Sequence, residues 1–251
     1  MSSFKDHFSS VAASYADFRP VYPPALADLL ADRTPAHDLA LDCGCGSGQL
    51  SLLLAARFAR VVATDASAAQ VAAAIQHPKV AYKVAPAEDS GLPDRCADLV
   101  VAAQAAHWFD LPRFWREVDR VARPGALAAL VGYGLMRVDD AVDAIIVPYH
   151  NETLKPYWPA ERWLVVAGYD HVKLPYQEVA APPLDMTAEW SLDQLVGYLT
   201  TWSGLKAAER AGQNLLPAVA ERLAAVWGDP ARTRTVRWPL FLRLGRVGSV
   251  S

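Results

Sequence analysis

The segment that most restricts the fold is Leu39-Ala40-Leu41-Asp42-Cys43-Gly44-Cys45-Gly46-Ser47-Gly48. It is a short apolar run that breaks into glycines at alternate positions and leads into the helix-like spacing of Gln49 to Phe58. A strand, turn, helix unit of this kind lets a ligand approach main chain that no Cβ shields. The unit then repeats. Val61-Val62-Ala63 ends at Asp65, and the Ala-rich Ser67 to Gln76 follows, with Ser67 as the helix N-cap. Val80 to Val84, Asp98 to Ala103 and Ala126 to Val131 read as further strands, and Leu111 to Ala122 as a helix closed by Arg123-Pro124-Gly125. Alternation at this spacing predicts an α/β fold: parallel strands, right-handed crossovers, helices on both faces, and ligands bound beyond the strands' carboxyl ends.

After Gly134 the pattern loosens. Asp139 to Tyr149 and Ala160 to Ala167 read as helices, Val172 to Ala180 as a strand, Pro182-Pro183 as a loop, and Trp190 to Trp202 and Leu215 to Trp227 as helices. Thr233 to Val247 alternates, with Val236, Trp238, Leu240, Leu242 and Leu244 set against Arg237, Phe241 and Arg243. Such alternation predicts a late strand near a sheet edge, antiparallel to its neighbours, with the two preceding helices inserted over the active-site end. Trp158, Trp163, Trp190 and Trp202 gather in this half, as core or as pocket lining. The expected organisation is one domain: residues 1–38 as an N-terminal helical lid, 39–134 as the cofactor-binding core, and 135–251 as late strands with a helical cap that includes an insertion at 184–232.

Composition narrows the partners. Of 251 residues 53% are hydrophobic and 20% charged, enough for a large buried core, and the net charge of −3 argues against a surface built for nucleic acid or an anionic membrane. The longest stretch without Asp, Glu, Lys or Arg, Cys43 to Ala56, has 14 residues, short of the roughly 20 a membrane-spanning helix needs. The N-terminal residues lack the apolar core of a signal peptide, and three cysteines, Cys43, Cys45 and Cys96, make no disulfide framework; a cytoplasmic protein with reduced thiols is expected. No Cys or His pair elsewhere matches Cys43 and Cys45 as metal ligands, so these two are read as packing beside the glycines, with no metal.

The ligand can be read further. Asp65 stands 21 residues after Gly44, about the spacing at which a carboxylate reaches the ribose hydroxyls of a nucleoside. The dinucleotide pattern G-x-G-x-x-G needs glycine where Gln49 stands, and Asp42 before the loop repels a pyrophosphate but suits a cationic group such as an ammonium or sulfonium. A nicotinamide-dependent oxidoreductase and a cofactor-binding module without turnover stay open as alternatives.

The run Asp42-x-Gly44-x-Gly46-x-Gly48 resembles the first motif of the class I S-adenosylmethionine-dependent methyltransferases. Tyr15-Ala16-Asp17-Phe18-Arg19-Pro20-Val21-Tyr22-Pro23, Ala87-Glu88-Asp89, Ala106-His107-Trp108-Phe109-Asp110, Val236-Arg237-Trp238-Pro239-Leu240 and Leu244-Gly245-Arg246-Val247 are similar, more narrowly, to the type 11 and trans-aconitate-methyltransferase-like small-molecule enzymes. The resemblance implies a Rossmann-like fold, a seven-stranded, mostly parallel sheet with an antiparallel late strand. It implies S-adenosylmethionine as cofactor and S-adenosylhomocysteine as product. Gly44, Gly46 and Gly48 would pass along the methionine half with Asp42 nearby; Asp65 would take the ribose hydroxyls; Ala66, Ala87 and Glu88 would border the adenine; Gln104 would face the methionyl end. Tyr15 and Arg19 are implied from the N-terminal segment, Arg19 pairing with the cofactor's or the substrate's carboxylate. Arg19, Tyr22, His107 and Trp108 are the substrate-side candidates. The implied reaction is in-line displacement onto a small-molecule acceptor, a carboxylic acid among the candidates, driven largely by alignment. A base is needed only where the acceptor must lose a proton. His107 is the best candidate, with loop orientation as its alternative role.

Overall fold

Strand β1 (Leu39–Cys43) is buried at every position, as a strand covered on both faces must be. The computed structural model describes residues 20–248, so Tyr15 and Arg19 lie outside the described residues. Around β1 stand β2 (Arg60–Asp65), β3 (Val80–Val84), β4 (Ala97–Ala103) and β5 (Ala122–Tyr133), all parallel in the order β3-β2-β1-β4-β5. The period-2 geometry of each strand divides its side chains between two cores. Ala40, Val61, Ala63, Leu99, Val101, Leu127 and Ala129 face a layer holding helices α1 (Pro24–Ala31) and α2 (Gln49–Leu54). Leu39, Leu41, Val100, Ala102, Ala128 and Leu130 face α4 (Leu111–Val121), while the short α3 (Ala68–Ala72) joins β2 to β3.

The long strand β8 (Arg234–Arg246) runs antiparallel to β5. Its other edge carries β6 (Gln177–Glu178) at one end and β7 (Leu184–Trp190) at the other. Eight strands therefore fill seven ranks among the described residues, the seventh rank being made of two pieces. The alternating strand lies near the edge and antiparallel to its neighbours, as expected: β8 is the last rank but one, and its alternation arises because Val236, Trp238 and Leu244 face the core while Arg237 faces solvent. Tyr133, the last residue of β5, lies opposite Leu240, so the part of β8 that pairs with β7 runs on past the carboxyl end of the parallel sheet. Against β7 packs α7 (Leu192–Thr200), with α8 (Ser203–Arg210) and α9 (Leu216–Trp227) beside it and α5 (Asp140–Pro148) against α9, whereas α6 (Arg162–Val166) packs against β5 and the Ala106–Trp108 turn.

Several boundaries differ from the sequence reading. The insertion expected at 184–232 opens with a strand: Trp190 closes β7, and Ser191 starts α7 with a reciprocal cap in which its side chain accepts from Gln194 N–H while the Gln194 side chain accepts from Ser191 N–H. The strand expected over Val172 to Ala180 reduces to Gln177–Glu178, because β8 offers only its last residues as a partner there. Arg123-Pro124-Gly125 does not separate helix from strand. The register shifts between Ala97 and Leu99, and the proline and Gly125, at φ +80°, are taken up as an irregularity within β5. No helix among the described residues is long and apolar enough to cross a membrane.

Asp98, fully buried in β4, ties the lower end of the sheet together. Its Oδ2 accepts the N–H groups of Asp38 (2.8 Å) and Leu39 (3.0 Å), and its Oδ1 accepts from Arg123 Nη1 at 2.8 Å. Alanine at this position leaves two N–H groups without their acceptor and takes from Arg123 one of its two carboxylates, Asp38 Oδ2 at 2.7 Å remaining, so Asp98→Ala is expected to cost about 2–5 kcal/mol of stability in urea denaturation.

Candidate active site

The carboxyl ends of the five parallel strands bring the sequence motifs to one end of the sheet. After β1 the chain turns sharply, and the N–H groups of Gly44 and Cys45 both reach Thr64 O, at 2.8 and 2.9 Å. Gly44, at φ +69°, has no room for a side chain: a Cβ would stand 2.5 Å from that of Ala105. Among the described residues a Cβ at Gly46 would meet only the tip of Gln70, at 3.8 Å, so the middle of the loop is open on that side to them. Asp65, ending β2, braces this loop. Its Oδ2 accepts Gly46 N–H at 2.9 Å and its Oδ1 accepts Ser67 N–H at 2.8 Å, leaving each oxygen a further lone pair. Ser67 in turn caps α3 by accepting from Gln70 N–H, as its place in the sequence predicts.

Asp42 lies beneath the loop, almost fully buried. Ser51 Oγ donates to its Oδ2 at 2.6 Å, whereas Oδ1 is buried without a partner. Burial pushes this carboxyl up to about 7, against the Ser51 hydrogen bond that lowers it and with the nearby Asp65 charge adding to the rise. Ser51 escaped the sequence reading, although a lone hydroxyl in the otherwise apolar run Leu50 to Leu54 was its signal.

The other predicted residues are placed as follows. Ala66 follows β2, half-buried; Ala87 is buried after β3; and Glu88 Oε1 accepts Asp110 N–H at 2.7 Å, linking the loops after β3 and β4. Gln104, at φ +53° just after β4, donates through Nε2 to Tyr133 O at 3.1 Å. Tyr22 reaches the same end, its ring edge-on to Tyr133 at 6.4 Å. His107 is buried in a single 3-10 turn, its ring 4.7 Å from Trp108, with Nδ1 3.1 Å from the Tyr169 hydroxyl. Burial, with a smaller contribution from the Arg162 guanidinium, holds His107 down to about 3, so it is neutral near pH 7. Phe109 packs on Phe114, against the core that holds α4. Tyr133, Tyr169 and Arg162 carried no motif of their own; tertiary packing alone brings them here.

Residues 41–130 match the methyltransferase domain family. The chain is 32% identical over 254 residues to a Dictyostelium discoideum protein named as a methyltransferase, spanning 98% of this chain and 96% of that one. A solved structure of a type II methyltransferase from Anaeromyxobacter dehalogenans is 50% identical and superposes with a TM-score of 0.86 over 91% of this chain and 98% of its own. A Saccharomyces cerevisiae relative named "probable S-adenosylmethionine-dependent methyltransferase" is 27% identical over 155 residues, 58% of this chain and 53% of that protein. With the strand order, the braced glycine loop and a full-length relative in agreement, the chain belongs to the class I S-adenosylmethionine-dependent methyltransferases.

Proposed function

We propose that this site binds S-adenosylmethionine across the carboxyl ends of β1 to β4 and transfers its methyl group to a small-molecule acceptor, leaving S-adenosylhomocysteine. The observation that carries the reading is Asp42 Oδ1, buried and without a partner among the described residues, beneath a glycine loop open at Gly46: once ionised, it is an atom that a cationic amino group would satisfy. The cofactor supplies a methyl group on a sulfonium, already activated for displacement, so no metal is required. Main chain at Gly44, Gly46 and Gly48 follows the methionine half, Asp65 offers its remaining lone pairs to the ribose hydroxyls, and Ala66, Ala87 and Glu88 flank the adenine. Gln104, held by Tyr133, faces the methionyl end. Tyr22, His107 and Trp108 bound the acceptor side, with Tyr15 and Arg19 assigned by resemblance.

Because His107 binds a proton so weakly, its role here is contact, and the chain's contribution to rate is alignment and exclusion of water. A carboxylic acid is the acceptor that Arg19 would suit, since a carboxylate needs no base. The mildly acidic chain gives no footing to nucleic acid or to an anionic membrane, and three free cysteines agree with a cytoplasmic location. Incubation with methyl-labelled cofactor and a panel of small carboxylic acids, phenols and amines should label at least one of them. Label entering only macromolecules of a cell extract would overturn the small-molecule reading.

A pH effect follows from Asp42. The folded carboxyl keeps its proton up to about 7, while the unfolded one loses it near 3.8. Its stabilising contribution is therefore complete below 3.8 and is lost as pH rises through about 7. Pairing with an ammonium draws on the ionised form, so affinity for S-adenosylmethionine should rise by about fivefold from pH 6 to pH 7, with release of a proton. Calorimetry in two buffers of different ionisation enthalpy measures that proton, and Asp42→Asn should abolish it.

A further inference from the structure

The cap holds an unusual group of buried polar atoms. Helix α5 ends at Pro148 and passes into a π-helical turn, Tyr149–Thr153, a rare geometry that recurs at functional sites. The turn places Tyr149 and His150 against two tryptophans. Tyr149 stacks on Trp202 at 6.3 Å, and His150 meets Trp202 edge-on at 5.3 Å and Trp158 at 4.8 Å. Trp158 spends its N–H on His150 O at 3.0 Å. The remaining polar atoms of these rings, Tyr149 Oη, His150 Nε2 and Trp202 Nε1, are buried without a partner, in residues only 4%, 2% and 3% exposed. One orphan of this kind is costly, and here two of the three, on His150 and Tyr149, belong to rings that pack on the ring of the third, Trp202.

The chemistry of a common partner can be read from the atoms. His150 Nδ1 lies 2.7 Å from Asn151 Oδ1, which can only accept, so Nδ1 carries the proton and Nε2 presents a lone pair. Burial, opposed by that hydrogen bond and helped by Arg162, holds the ring down to about 4 and therefore neutral. Trp202 Nε1 can only donate, and Tyr149 Oη does either. A carboxylate brings acceptors alone and would face the His150 lone pair, while an ammonium brings donors alone and would face the Trp202 N–H. A hydroxyl satisfies all three. The walls are flat and aromatic, matching a planar ring. The cluster also leads towards the motif after β4, since the Arg162 guanidinium stands 4.4 Å over the Trp158 ring and the helix that Arg162 opens packs against the Ala106–Trp108 turn.

We propose that Tyr149, His150, Trp158 and Trp202 form the acceptor pocket and that it recognises a phenolic hydroxyl, which donates to His150 Nε2 and accepts from Trp202 Nε1 and Tyr149 Oη. This rests on the methyl-transfer reading above and names a phenolic hydroxyl as the group by which the acceptor is held, the atom that attacks the sulfonium methyl lying elsewhere on that molecule. The test is calorimetric titration of the S-adenosylhomocysteine-loaded enzyme with phenol, anisole, benzoate and benzylamine. Phenol should bind at least about tenfold tighter than the other three, as a pocket built around hydrogen bonds rejects ligands that leave them unmade. Tyr149→Phe and Trp202→Phe keep a ring but remove the orphan. Each should raise the melting midpoint by about 2–4 °C and weaken phenol binding about fivefold or more.

Phenol binding no better than anisole, or unchanged in both variants despite the melting shift, would mean that the orphans are only a strained core and would overturn the proposal. Titration of S-adenosylhomocysteine into the same preparations separates the two readings. Cofactor binding without phenol selectivity removes only the acceptor assignment, whereas absent cofactor binding removes both.

Discussion

Asp65→Ala is expected to weaken S-adenosylmethionine binding by about 10- to 100-fold, the loss of one or two charge-assisted hydrogen bonds at roughly 1.4 kcal/mol per factor of ten. Two losses combine. On the proposed reading the ribose hydroxyls would lose their acceptor, and the glycine loop loses the carboxylate that takes the N–H groups of Gly46 and Ser67. Asp65→Asn retains one carbonyl oxygen and should fall between wild type and alanine. Isothermal titration with the cofactor decides the matter, and undiminished affinity in the alanine variant would sink the assignment of Asp65 to the ribose.

Trp238→Ala should give the largest loss of stability among single core substitutions in the cap, about 3–5 kcal/mol, or a melting midpoint lower by about 6–20 °C. Trp238 is fully buried on the ribbon that carries the cap. Its ring meets Trp190 edge-on at 4.8 Å and Tyr198 at 5.6 Å, and its Nε1 donates to the Tyr198 hydroxyl at 3.3 Å. Truncation therefore opens a cavity and leaves that hydroxyl without its donor. A urea titration showing less than about 1 kcal/mol would mean that the cap collapses onto the gap or contributes little to folding.

The parallel half was legible because its signals are local. A strand covered on both faces needs an unbroken apolar run, and Leu39 to Leu41 supplies one; a loop that must turn beside Ala105 needs glycine, and Gly44 supplies it. Ser67, Asp65 and the strand at Val80 to Val84 followed from spacing alone. The second half was harder to read because its strands depend on partners far away in the chain. Gln177–Glu178 and Leu184–Trp190 are strands only where β8 lends them an edge, and neither shows a strong pattern of its own.

The candidate site divides along the same line. Spacing placed Asp42, the glycines and Asp65 at one strand end, and so identified the nucleoside cofactor class, because adjacent βαβ units hold those residues together in any sheet of this kind. Which side chains complete the site depended on packing between segments remote in sequence. Ser51 needs only to reach back over the glycine loop to Asp42, but Tyr169 reaches His107 from 62 residues away, and Trp202 closes on Tyr149 and His150 from another element of the cap. Local main-chain requirements leave a trace in residue type and interval. Contacts between distant surfaces leave none, since any aromatic of similar size satisfies the pattern, and the partner of each polar atom is set only when the layers meet.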